Sequence, residues 1–168
     1  MQTSLAKMKN ILFYDTETSG QLDFKAPPDA PHQPRLLQLG LIMTDTTGNE
    51  IAIFKTLIRP DGWQIQPGAQ AVHGITQEQA ERDGIPLMVA LNTFWALAAT
   101  CQGKVCHNSD FDSKIMLGEQ LRSKAPPSLS EIPHFCTMKA TTNVCRLPGP
   151  YGFKWPKLGE AYKHCTGK

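Results

Sequence analysis

Apolar positions change their spacing partway along the chain, and that change predicts the architecture. Ile11–Tyr14 is an unbroken apolar run, the pattern of a short strand covered on both faces, and it ends in Asp-Thr-Glu-Thr-Ser-Gly. Leu36–Asp45 and Ile51–Ile58 are rich in apolar and β-branched residues and flank Thr46-Thr47-Gly48-Asn49, which predicts a hairpin. Prolines stand at positions 27, 28, 31 and 34. Each fixes φ and removes an N–H donor, so 26–34 reads as a loop. The first run and the hairpin together make a three-stranded, mostly antiparallel meander.

From Thr76 onward the period becomes helical. Thr76–Arg82 opens with Thr-Gln-Glu-Gln, a capping-box pattern. Leu87–Thr100 places Leu87, Leu91, Phe94, Trp95 and Ala98 on one face. Lys104–His107 reads as a brief strand. It leads into a helix from Asp110 to Lys124, with Phe111, Ile115 and Leu121 on its buried side and Gly118 permitting close approach. Pro133–Ala140 is read as holding another short strand. Leu158–Cys165 is read as a last helix, with Leu158, Ala161, Tyr162 and Cys165 as its core stripe. Strands first as a meander, then alternating with helices, predict an α/β domain with a mixed sheet, its parallel strands following the meander and helices flanking it. The 168 residues suit one domain.

Composition narrows the class. Apolar residues are 40% and charged residues 19%, as in ordinary globular chains, which excludes disordered, collagenous and coiled-coil proteins. No run approaches the roughly 18–20 apolar residues of a membrane span. The first ten residues, MQTSLAKMKN, lack the apolar core of a secretory signal, so a cytoplasmic location without membrane contact is expected. The five cysteines show no Cys-x-x-Cys spacing and read as free thiols rather than a zinc site. Net charge is +2, but unevenly spread: from His134 to Lys168 six basic residues face one acid, leaving an acidic body and a basic end.

Asp15 and Glu17 carry the first chemical signal. Residues two apart on a strand point the same way, so both carboxylates face one side at a strand end. Two such charges repel, and a divalent cation with oxygen ligands relieves them most cheaply. The plain alternative is an aspartate that ends a strand beside a solvated glutamate. The second signal is His107-Asn108-Ser109-Asp110-Phe111-Asp112, after a short strand and opening a helix. Here too a plain alternative exists: Ser109-x-x-Asp112 resembles a capping box, and an acid in a first turn is favoured by the helix dipole.

Taken in order, these segments resemble the DnaQ-like 3′–5′ exonucleases. Phe13-Tyr14-Asp15-Thr16-Glu17-Thr18-Ser19-Gly20 is similar to the first motif of that family and His107–Asp112 to the second. Val72-His73-Gly74-Ile75-Thr76 resembles a segment between them, and Lys157-Leu158-Gly159-Glu160-Ala161-Tyr162 the lead-in to the third. The resemblance implies an RNase H-like fold. It implies Asp15, Glu17 and Asp112 as catalytic ligands of two Mg²⁺ or Mn²⁺ ions. It implies stepwise release of nucleoside monophosphates from single-stranded 3′ ends, DNA before RNA, in proofreading or repair. The proofreading subunit of DNA polymerase III is the type of enzyme meant, which makes a DNA polymerase subunit a candidate partner. His73 is placed near the terminal nucleotide, with loop ordering as the equal alternative. Thr18 is a candidate for the terminal sugar. Asn108 is a candidate either for substrate or for ordering the start of the Asp112 helix.

One departure stands out. The third motif of the family supplies a histidine, the general base, and an aspartate, the fourth metal ligand; neither is found within these residues. His164 lies in the lead-in helix with no acid after it and reads as structural. The expectation is therefore a truncated or divergent domain, weak or inactive by itself, with apolar surface exposed at its C-terminal edge. A catalytically silent binding module of the same fold is the rival reading. Tyr151, Phe153, Trp155 and Tyr162 interleave with Lys154, Lys157 and Lys163, a pattern suited to a single-strand groove. Taken singly, Trp155 and Tyr162 read as core residues.

Overall fold

The computed structural model describes residues 10–124 and 132–168. Three strands form the meander: β1 (Asn10–Thr18), β2 (Leu36–Thr44) and β3 (Glu50–Leu57), joined antiparallel. Then come α1 (Pro67–His73), α2 (Gln77–Asp83), α3 (Leu87–Ala98), β4 (Cys101–Cys106) and α4 (Ser109–Arg122). Beyond the second gap follow β5 (His134–Cys136), α5 (Thr137–Cys145), β6 (Pro148–Gly149), β7 (Gly152–Phe153) and α6 (Leu158–Thr166). The main sheet has the order β3-β2-β1-β4-β5, with β4 parallel to β1 and β5 parallel to β4. The expected mixed sheet, antiparallel strands followed by parallel ones, is what forms.

One face of this sheet is closed. Leu12 and Tyr14 on β1, with Leu39, Leu41 and Met43 on β2, pack against Ala90, Leu91, Phe94 and Ala98 of α3 and Ile115 and Met116 of α4. The alternation is strict on β1, where Leu12, Tyr14, Thr16 and Thr18 are buried and Phe13 and Asp15 are exposed. β1 is thus not covered on both faces, as its apolar run suggests: its second face stays open, with Phe13 38% and, across the sheet, Ile53 60% exposed.

Several elements differ from the sequence pattern. α1 and α5 were not expected, and the strand foreseen in 133–140 lasts three residues before α5 takes over. His73 is therefore the last residue of a helix rather than part of a loop. On α4, Leu121 is exposed, whereas Met116 and Glu119 are buried. Glu119 is 1% exposed because it accepts from both Nε and Nη2 of Arg35, from Arg122 Nη1 and from Leu36 N. This ion-pair network seats the proline-rich loop: Arg122 Nη2 donates to carbonyls of Pro28, Ala30 and Gln33, and Lys114 Nζ to those of Phe24 and Ala26. Gly118 is where α4 meets that loop closely, since any Cβ there would collide with the Pro28 carbonyl.

Thr76 caps α2 as its sequence predicts, accepting from Gln79 N at 3.1 Å. Ser109 does not cap α4: the N-cap is Asn108, held at φ 72° in the left-handed region that asparagine tolerates better than most residues. The core stripe expected on α6 does not form either. Ala161 is buried, but Leu158 (60%) and Tyr162 (56%) face outward and Cys165 is exposed, so apolar surface is open along this edge as expected. All five cysteines are free.

Candidate functional site

The two motifs meet where β1 and β4, adjacent and parallel, end. β1 carries Asp15 and Glu17 onto the open face, because the strand continues through both and its alternation puts Thr16 and Thr18 inside. β4 leads through His107 into α4, whose first turn carries Asp112 to the inner side of the same strand end. There Asp112 Oδ1 accepts from Thr16 N at 3.0 Å and Thr16 Oγ1 at 2.8 Å. The aspartate is 2% exposed. It is thus neither a helix cap nor a solvated first-turn acid.

Charge is crowded at this point. Burial raises the Asp112 pKa to about 7, against the pull of the Thr16 hydroxyl, and the Asp15 charge pushes it up further. Asp15 is exposed as a residue, yet the strand ends around its carboxyl desolvate it and raise its pKa, with His107 opposing. Glu17 is also raised, first by burial and then by Asp15, with His73 and Lys55 opposing. None of the three carboxylates is in an ion pair among the described residues. Three oxygen donors with raised pKa values and, among the described residues, no ion-pair partner are a donor set suited to a hard divalent ion. They are not yet gathered as ligands. Among the described residues no group of three His, Cys, Asp or Glu side chains is placed to hold a metal ion, and Asp112 is turned onto Thr16.

The residues around the carboxylates divide into those that order the backbone and those that remain open. Thr18 Oγ1 donates to the Gly20 carbonyl at 2.8 Å and is buried, so it fixes the turn leaving β1. Asn108 acts through its left-handed backbone and caps nothing with its side chain. His107 is held at both nitrogens, by Thr137 Oγ1 and by the Pro156 carbonyl, each at 2.9 Å. His73 accepts at Nδ1 from Ile75 N at 3.0 Å, which orders the exit of α1. Its Nε2 is buried and, among the described residues, has no hydrogen-bond partner. Such an atom is costly unless a ligand satisfies it.

Beside Asp15 and His107 runs a groove of about 480 Å³ along the open face, walled by Phe13, Ile42, Ile53, Val105 and Leu158. Sequence reasoning missed this groove, because it reads β1 as doubly covered. It also missed Thr16, whose only signal is its position between the two acids.

A mixed sheet whose central strand end presents two carboxylates, with a third from the next helix, defines a class, and the family comparison names it. The chain matches the exonuclease family model of the RNase T type over residues 12–153, and it belongs to that family. Among solved structures, a product-bound exonuclease I aligns with a TM-score of 0.70 at 22% identity, covering 92% of this chain and 35% of that one. Escherichia coli exonuclease I in complex with a dA16 oligonucleotide gives a TM-score of 0.75 at 20% identity, covering 93% and 36%. The same enzyme with a dT13 oligonucleotide gives 0.69 at 23%, covering 89% and 32%. The chain therefore spans about a third of the length of these structures and shares their RNase H-like fold. No curated protein matches. Among the described residues no helix is long and apolar enough to cross a membrane.

Proposed function

We propose that this chain is a single, divalent-metal-dependent 3′–5′ exonuclease domain acting on single-stranded DNA ends. One observation carries the reading: Asp15, Glu17 and Asp112 lie at one strand end with raised pKa values and no ion-pair partner. Asp15 and Glu17, with Asp112 once it leaves Thr16, would hold two Mg²⁺ or Mn²⁺ ions. Such ions neutralise the phosphodiester and supply a nucleophilic water at neutral pH. The protein's own groups do the positioning. His107, fixed at both nitrogens, keeps a polarisable ring near Asp15. His73 offers Nε2 to the terminal nucleotide beside Glu17. Thr18 and Asn108 hold the backbone that carries the acids, and substrate contact through either side chain is secondary.

Neither His107 nor His164 is free at the site to act as general base. His107 is committed to Thr137 and Pro156, and His164 sits on α6. We therefore expect weak or no turnover without an added base, and exogenous imidazole to raise it. A proofreading or repair setting in the cytoplasm, beside a polymerase subunit, fits this activity. One similar solved structure is an ExoI/SSB-Ct complex, which makes an SSB protein a second candidate partner.

The test uses 5′-labelled DNA and RNA oligomers of one sequence with Mn²⁺, alone and with exogenous imidazole to replace the base. The expected result is a ladder shortening from the 3′ end of the DNA, strengthened by imidazole. A ladder on RNA alone would move the assignment to an exoribonuclease of the same fold. Binding without any ladder under either condition would leave a silent nucleic-acid-binding module.

A further inference from the structure

The aromatic residues of 151–162 were expected to lie partly in the core, and they do not. Tyr151, at the tip of the β6–β7 hairpin, is fully exposed, and Phe153, Trp155 and Tyr162 are each more than half exposed. Water-exposed rings at this density mark a contact surface, since apolar area of this kind is stabilised by roughly 25 cal/mol per Å² when covered. Their charged neighbours indicate what covers them. Lys157 and Lys163 are exposed on the same segment, within an end of the chain that carries six basic residues and one acid. That one acid, Glu160, is already engaged by Lys154 Nζ at 2.6 Å. Lysine is depleted from the centres of protein–protein interfaces, and apart from Leu158 this strip has no aliphatic residues of the kind that seat a partner helix. Rings spaced by lysines are the pattern that stacks bases and tracks phosphates.

The strip is also continuous with the carboxylate site. Pro156, in the middle of it, is buried and accepts through its carbonyl from His107 Nε2. Leu158, two residues on, lines the groove that contains Asp15. We infer that Tyr151, Phe153, Trp155 and Tyr162 form a stacking platform for the bases of a single strand lying upstream of its 3′ end, with Lys157 and Lys163 along its phosphates. This deepens the exonuclease reading and rests on it for the polarity of the strand, but not for the binding itself.

The test measures fluorescence anisotropy of a labelled oligo-dT dodecamer in EDTA, so that binding is read without cleavage. Trp155→Ala and Tyr151→Ala should each weaken binding about ten-fold, the scale of one lost base–aromatic stack. Trp155→Phe, which keeps a ring, should stay within about two-fold of the parent. Lys157→Gln should reduce the slope of log affinity against log salt by about one. An unlabelled oligo-dT trimer, too short to leave the carboxylate site, should compete equally with the parent and with Trp155→Ala. Thermal midpoints of these surface variants should be unchanged, which separates lost stacking from lost folding. Unchanged dodecamer binding in both alanine variants would overturn the platform. So would unchanged DNA binding with a concentration-dependent dimer abolished by Trp155→Ala, which would assign the strip to protein contact. Ring-dependent binding with no cleavage in Mn²⁺ even with imidazole added would sink the exonuclease reading and leave the platform standing. Cleavage with ring-independent binding would do the reverse.

Discussion

The two faces of the central sheet are built from the same strands and do opposite work. On the inner face, Leu12, Leu39 and Leu41 are at most 1% exposed and meet α3 and α4. On the other, Phe13, Ile42 and Ile53 are 38%, 42% and 60% exposed beside Asp15. Adjacent residues of β1 thus alternate between a packed interior and an open groove. The inner face supplies rigidity, and the open one supplies access. Asp112 reaches the strand end from the closed side and Asp15 and Glu17 from the open side, so the candidate site sits on the seam between them. A rigid wall on one side lets raised, repelling carboxylates be held in place without collapsing the fold.

The largest expected effect breaks this division at the seam. Asp15→Ala should lower Mn²⁺-dependent cleavage by at least about a hundred-fold, in imidazole-supplemented assays of a labelled oligomer, while leaving the urea midpoint unchanged or slightly raised. Loss of cleavage accompanied by loss of folding would place Asp15 in the structural half of the molecule. The next effect compares the faces directly. Leu91→Ala on α3 should cost about 2–5 kcal/mol by urea denaturation, because it empties a fully buried site. Ile53→Ala on the open face should stay within about 0.5 kcal/mol. Equal losses would mean that the open face is packed in solution.

Acidity gives a third contrast. The carboxyl of Asp112 is shifted from 3.8 to about 7 by burial. A carboxyl with a raised folded pKa favours the folded state most below the unfolded value, and that contribution fades as pH climbs from about 4 through about 7. Ion binding requires the deprotonated form and must run the other way. The Mn²⁺-induced rise in thermal midpoint should therefore be small at pH 5.5 and grow through pH 7. A metal response independent of pH across that range would remove Asp112 from the ligand set. The smallest effect concerns its donor: Thr16→Val deletes the 2.8 Å bond to Asp112. It should cost about 1 kcal/mol and move the metal-response midpoint to higher pH, since that bond favours the carboxylate.

Local signals explain what the sequence makes legible. The meander, the parallel order after it, the Thr76 cap and the role of α3 follow from period and capping chemistry, which act within a few residues. α1 and α5 escape because they are short and neither opens with a capping side chain, as the equally short α2 does. Asp15 and Glu17 are readable as a pair because strand alternation is a local rule. What Asp112 does is not, because its partner Thr16 lies 96 residues away. The buried Glu119 and its two arginines are hidden for the same reason: nothing near Glu119 on α4 announces Arg35. The open face was misread because an apolar run such as Ile11–Tyr14 tells how apolar a strand is, not how many faces are covered.

Calorimetric titration of the metal-free chain with Mn²⁺ at pH 8, beside Asp15→Ala, tests the central claim most directly. The account predicts saturable uptake of two ions by the parent and loss of at least one site in the variant. Equal, weak heats from both proteins would contradict it and leave the three carboxylates as features of the fold alone.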